Sequence, residues 1–149
     1  MNMKIGLWVA LALTCGAACA QNAYLVTPAE MQASIAAPPR LSAKAATVKD
    51  APAIQVTAPT LTGPVKSPTP ISVKFQSTAP SAIKPESFRV LYGSFEIDIT
   101  KRLLNVAKVT EQGMQVSEAS LPNGKHKLLL EVEDTAGRKA SKLLEFEVN

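Results

Sequence analysis

From residue 54 to the end of the chain, apolar and polar side chains alternate with a period of two, as they do in strands with one buried face. Ile54 and Val56 alternate with Gln55 and Thr57, and Ile71, Val73 and Phe75 with Ser72, Lys74 and Gln76. Phe88, Val90 and Tyr92 share one phase around Arg89, and Phe95, Ile97 and Ile99 share another around Glu96 and Asp98. Met114 and Val116 repeat the pattern. It is clearest in Leu128, Leu130 and Val132 set against Lys127, Glu131 and Glu133, then in Leu144, Phe146 and Val148 set against Glu145 and Glu147. Pro122-Asn123-Gly124 and Thr135-Ala136-Gly137 supply turn residues on either side of the first of these two runs. The alternation predicts seven or eight strands over residues 54–149, interrupted by a helical turn near Lys101–Leu104. Runs this short, punctuated this often, favour two packed antiparallel sheets over a βαβ arrangement.

Upstream the rhythm is lost. Thr27-Pro28-Ala29-Glu30 carries helix-start chemistry: a capping hydroxyl, proline at the first helical position, and a glutamate able to reach back to the cap. A helix over 28–36 follows, with Leu25, Met31 and Ile35 as its apolar contacts. At about nine residues it is marginal alone. It therefore reads as a loose N-terminus, with a docking peptide for a partner as the alternative. Residues 37–53 have no hydrophobic period and are rich in Ala, Pro and Lys, so they read as a linker. Residues 21–53 together form a mostly extended tether ahead of the 54–149 domain.

Residues 1–20, MNMKIGLWVALALTCGAACA, place Lys4 before a short apolar stretch and end in Ala18-Cys19-Ala20. That is the pattern of a signal peptide cleaved after Ala20. The apolar stretch is too short to be a permanent membrane span. Both cysteines, Cys15 and Cys19, fall inside it. The processed chain would therefore hold no disulfide, no Cys-ligated metal and no cysteine nucleophile. A lipoprotein reading would attach lipid to Cys19, but Gly16-Ala17-Ala18 lacks the large aliphatic residue such a site usually carries three positions upstream. Soluble export, periplasmic or extracellular, is the expectation.

Composition sharpens this division. The chain has 149 residues, 46% hydrophobic and 19% charged, which suffices for one core and excludes a wholly disordered chain. All of the 11 prolines except Pro122 lie between Pro28 and Pro85, whereas Gly93, Gly113, Gly124 and Gly137 punctuate the second half. The net charge of +4 is spread among interspersed acids, and Lys101-Arg102 and Arg138-Lys139 are the adjacent basic pairs of the strand region. This is a mixed surface, lacking the basic stripe that nucleic acid demands.

The order FRVLYG, IDIT, LPNGKHKLLLEVEDTAGR and a closing LLEFEV resembles the bacterial immunoglobulin-like domains of exported proteins and the related fibronectin type III architecture. In such domains a Leu-Pro-x-Gly-x-(Tyr or His) corner opens the long penultimate strand, which ends in Asp-x-x-Gly. Here the corner is Leu121-Pro122-Asn123-Gly124-Lys125-His126, and the exit is Asp134-Thr135-Ala136-Gly137. The resemblance implies an Ig-like antiparallel β-sandwich of seven to eight strands over residues 54–149. Because adhesive, spacer and carbohydrate-associated members share the architecture, it implies an interaction or structural module and not an enzyme.

Candidate chemistry is sparse. His126, the sole histidine, stands in phase with Leu128, Leu130 and Val132 and is therefore expected to face the core. There it would take the place of the corner tyrosine and bond upstream backbone, with Leu121 and Gly124 completing a structural corner. One histidine with Met31 and Met114 is too few ligands for copper. Calcium needs six to eight oxygens, for which Asp98, Glu133 and Asp134 are the candidates, although Asp134 also suits turn formation. No G-x-S-x-G elbow or glycine-rich phosphate loop is present, and Glu131 and Glu133 share a wet strand face. Tyr92 and Phe95 flank Gly93-Ser94; a hairpin-tip aromatic can stack on sugars, but both are expected to pack inward. No cofactor and no catalytic residue is implied. The expected role is a non-enzymatic exported module that binds or supports a protein or glycan of the bacterial envelope, with a calcium- or ligand-dependent binding module as the alternative.

Overall fold

A computed structural model describes residues 24–38 and 48–149. The signal peptide expected at 1–20, with Cys15 and Cys19, and most of the linker expected over 37–53 lie outside the described residues. The chain folds as an all-β sandwich. Strands β1 (Ala53–Ala58), β2 (Thr69–Gln76), β5 (Lys108–Thr110) and β6 (Gly113–Ala119) form one antiparallel sheet in the order β1-β2-β6-β5. Strands β3 (Ile83–Tyr92), β4 (Ile97–Asp98), β7 (Gly124–Asp134) and β8 (Lys139–Val148) form the other in the order β4-β3-β7-β8. Helix α1 (Pro28–Ala36) precedes the sandwich, and the short helix α2 (Thr100–Leu104) joins β4 to β5.

Each strand buries the apolar phase of its alternation. Ile71, Val73 and Phe75 of β2 and Met114 and Val116 of β6 face Phe88, Val90 and Tyr92 of β3, Leu128, Leu130 and Val132 of β7, and Leu144, Phe146 and Val148 of β8. At roughly 1.5–3 kcal/mol per buried side chain, this layer is the principal stabilising term of the fold. The longest ladder joins β7 and β8 from Gly124↔Val148 to Glu133↔Lys139. Asp134 closes their hairpin: its carboxylate accepts from the Ala136 and Arg138 amides at 3.0 and 2.9 Å, and from the Arg138 guanidinium at 2.8 Å.

Three features differ from the pattern-based expectation. The run Phe95–Ile99 is not a continuous strand, because Gly93 (φ +69°) and Glu96 (φ +51°) turn the chain and only Ile97–Asp98 pairs with β3. Phe95 is therefore left on the turn, 51% exposed, where alternation had placed it inside. Strand β3 begins at Ile83, earlier than its alternation suggests, because the ladder to β7 breaks between Lys84 and Arg89. Ser87 Oγ bridges that break, donating to the Lys84 carbonyl and accepting from the Glu133 amide at 2.8 Å.

The third difference is the N-terminal helix. Its capping box forms as the residues foretell, with Thr27 Oγ1 accepting from the Glu30 amide and the Glu30 carboxylate accepting from the Thr27 amide. The segment is not loose, however. Leu25, Val26 and Met31 are buried in the sandwich's own core, Val26 completely. The Leu25 amide donates to the Ser120 carbonyl at 3.0 Å, and Arg102 of α2 forks both oxygens of Glu30 at 2.8 Å. Ile35, expected to pack with Met31, is instead 58% exposed.

Candidate functional site

The Leu121–Gly124 corner delivers β7 into the core beneath α1. Leu121 is buried, and its amide donates to Ser67 Oγ at 2.9 Å. Gly124 adopts φ +134°, and a Cβ there would stand 2.9 Å from Met31 Sδ. Glycine thus serves both the left-handed backbone and the close approach of the helix. Two residues on, His126 points inward with 2% exposure, its ring stacked on Phe146 at 5.5 Å and tilted against Tyr92 at 5.8 Å.

Its two nitrogens are both engaged. Nε2 lies 2.7 Å from the Pro122 carbonyl, and Nδ1 lies 3.0 Å from the Tyr92 hydroxyl. A carbonyl can only accept, so Nε2 carries the proton and donates. In the neutral ring Nδ1 is then the acceptor, and the Tyr92 hydroxyl donates to it. Burial pushes the His126 pKa down, partly countered by the bond to Pro122, so the neutral form is the one the core holds. Burial, assisted by the Glu30 carboxylate, pushes the Tyr92 phenol up to about 12. This is a closed chain of phenol, imidazole and carbonyl, with no nitrogen left to take a proton from a substrate.

The three carboxylates considered for calcium do not converge. Asp98 sits on β4 at the level of Leu91 and hence of Leu129. Glu133 lies four residues further along β7, roughly 13 Å away along the strand direction. Asp134, the next residue, points to the opposite face. Each also has its charge met locally. Asp98 caps the Thr100 amide at 2.9 Å and reaches Arg89 at 3.2 Å. Glu133 binds Lys84 at 3.0 Å. Burial pushes the Asp134 carboxyl up, but the amides of Arg138 and Ala136 and the Arg138 guanidinium together hold it below the usual carboxylate range. Among the described residues no group of three or more His, Cys, Asp or Glu side chains is gathered as a metal site.

What the fold does build is a cleft of about 600 Å³ outside His126 and Phe146. The C-terminal end of α1 (Ser34, Ile35) forms one wall and the 61–64 loop another, with β7 and β8 as the floor. Ile35 and Leu61 are exposed at 58% and 50%. The floor's charged side chains stand in opposed register, Lys125↔Glu147 and Lys127↔Glu145, the latter pair 3.5 Å apart. Ser94 joins the wall, its amide donating to Ser34 Oγ at 3.1 Å and its hydroxyl to the Ser34 carbonyl at 3.2 Å. A second groove, of about 690 Å³, runs between the Leu104–Lys108 connection and the outer face of β2 and β6.

Ser34 and Leu61 were not singled out from sequence, and Ile35 only as a packing contact of the helix, because the cleft exists only where α1 docks. One signal was nonetheless present. Val26 and Met31 occupy the two positions of a hydrophobic staple around the Thr27 cap, which requires an apolar surface to receive them. Comparison with protein-family models, with curated proteins and with solved structures finds no match to the chain. Among the described residues no helix is long and apolar enough to cross a membrane.

Proposed function

We propose that this chain is a non-enzymatic exported module whose α1-side cleft receives an apolar segment of another macromolecule of the cell envelope, a protein segment in the first instance. The observation that carries the reading is the combination found at the cleft. It is open, Ile35 and Leu61 stand exposed at its rim, its floor lysines and glutamates stand in opposed register with Lys127 and Glu145 3.5 Å apart, and the histidine beneath it has both nitrogens committed inside the protein. Such a surface offers affinity through area and shape, and its histidine has no nitrogen free to move a substrate proton. The export half of the reading rests on the charged start, apolar middle and small-residue end of residues 1–20.

The test is affinity capture from envelope extracts with the wild-type chain and with an Ile35→Asp, Leu61→Asp variant. Both side chains are exposed, so the variant keeps the fold, and the proposal expects it to lose the captured partner. Equal capture by both proteins would remove the cleft from the account. Binding to arrayed glycans, abolished by the same pair, would replace the protein segment with a sugar.

A further inference from the structure

The two sheets turn different chemistry outward. On the outer face of the β4-β3-β7-β8 sheet, carboxylates and cations meet as the ion pairs Lys84–Glu133, Arg89–Asp98 and Lys127–Glu145. The groove of about 690 Å³ on the outer face of the other sheet is lined by no carboxylate. Ser72 of β2 stands across from Gln115 of β6, and Gln115 across from Lys108 of β5, so a hydroxyl, an amide and an ammonium form one row over about 10 Å. Ser117 and Asn105 add a further hydroxyl and a further amide. Among the described residues none of these five side chains holds a hydrogen bond or ion pair within the protein. Lys74, two residues along β2 from Ser72, places a second cation beside the groove, its Cα about 12 Å from that of Lys108. Glu111 in the β5–β6 turn and Glu118, beyond the break in the β2–β6 register, do not line the groove. Leu104 and Val106, 48% and 55% exposed, supply an apolar wall.

We infer that this groove binds an acidic glycan, a chain of sugar rings with hydroxyls throughout and carboxylates at intervals. Three features select that ligand. A sugar hydroxyl both donates and accepts, and so do Ser72, Ser117, Asn105 and Gln115, so each can meet it in either sense. Lys108 and Lys74 supply separated positive charges with neutral groups between them. That suits carboxylates spaced along a chain and is too sparse for the phosphate backbone of a nucleic acid. The C–H face of a sugar ring is apolar and lies well against Leu104 and Val106. A peptide strand matches less well. Strands β2 and β6 are the inner strands of their sheet, and their backbone at Ser72 and Gln115 is paired within it, so the floor offers a peptide no edge to extend. The groove lies on the opposite sheet from the α1-side cleft and does not depend on that cleft having a ligand.

Isothermal titration calorimetry of the full chain compares a hexamer of mannuronic acid with the mannose hexamer of the same linkage, which lacks only the carboxylates. The acidic hexamer is expected to bind about tenfold more tightly. Lys108→Glu is expected to weaken its binding about tenfold and Gln115→Ala about fivefold. Both positions are exposed, so the circular dichroism spectrum should not change. The Ile35→Asp, Leu61→Asp variant is expected to bind the acidic hexamer as the wild type does, which separates this groove from the cleft. Amide chemical-shift mapping on the wild-type chain needs no substitution and is expected to place the perturbation at Ser72, Asn105, Lys108 and Gln115. No binding of the mannuronate hexamer, equal binding of the mannose hexamer, an equal response to hexaglutamate, or shifts that fall outside the groove overturns the inference.

Discussion

Replacing His126 and Tyr92 singly and together by Phe isolates the buried relay. Tyr92→Phe removes the phenolic hydroxyl and leaves Nδ1 without its donor, an expected loss of about 1–2 kcal/mol. His126→Phe keeps an aromatic ring, somewhat larger than the imidazole, but strands two groups, the Tyr92 hydroxyl and the Pro122 carbonyl, which the structure holds at 3.0 and 2.7 Å from the imidazole. At about 1–3 kcal/mol for each buried group left unsatisfied, part of it recovered by relaxation, a loss of about 2–4 kcal/mol is expected. In the double variant the hydroxyl is absent and only Pro122 is stranded. The pair should therefore be less destabilised than the sum of the singles, with a coupling of about 1–2 kcal/mol. Urea unfolding followed by far-ultraviolet circular dichroism gives the four free energies. Acid pH supplies a second readout. Because the folded-state pKa of His126 lies below its ordinary value of 6.5, the unfolded chain binds the proton more readily. The contribution is complete above pH 6.5 and is lost as pH falls toward the folded-state value. That component should vanish in His126→Phe. An additive cycle, or a His126 ring that titrates at its ordinary value in the folded protein, would refute the closed-relay description.

Three further outcomes are expected. Glu30, held down to about 2 mainly by the Arg102 hydrogen bonds, contributes stability above pH 4.5 that is lost as pH falls through about 2; Glu30→Gln should flatten that acid limb. The same change leaves an amide oxygen to accept from the Thr27 amide but removes the ion pair with Arg102, for a loss of about 0.5–1 kcal/mol in denaturant titration at neutral pH. Gly93→Ala should destabilise by more than about 1 kcal/mol, since Gly93 has φ +69° and an added Cβ would overlap Ser34 of α1; hydrogen exchange should then show α1 opening first. The melting temperature should be the same in calcium and in chelator, because Asp98 and Glu133 stand well apart along the sheet and Asp134 points to its opposite face; a rise with calcium would reassign them.

Much of the sandwich was legible from residue order alone, and the reason is local. A strand with one buried face needs apolar side chains at every second position, so Ile71-Val73-Phe75 and Leu128-Leu130-Val132 announce both their conformation and their buried side before any partner strand is known. The Thr27–Glu30 capping box is local in the same sense, because its hydrogen bonds span three residues. The phase of His126 likewise follows from its even spacing with Leu128, whereas Tyr92 as the partner of Nδ1 does not, since 34 residues separate them. Phe95 shows the limit of alternation: one residue of positive φ at Glu96 ended the strand that should have carried it inward.

What the tertiary structure alone decided is where the short N-terminal helix goes. Its nine residues cannot hold themselves as a helix in water, and composition cannot say whether Val26 and Met31 meet a foreign surface or their own sandwich. The answer came from non-local fits: Ser34 against Gly93, Met31 over Gly124, Glu30 against Arg102. The cleft beside Ile35 and the outer-face pair of Ser72 and Gln115 arise in the same way, from residues distant in the chain that only the completed sheets bring into register.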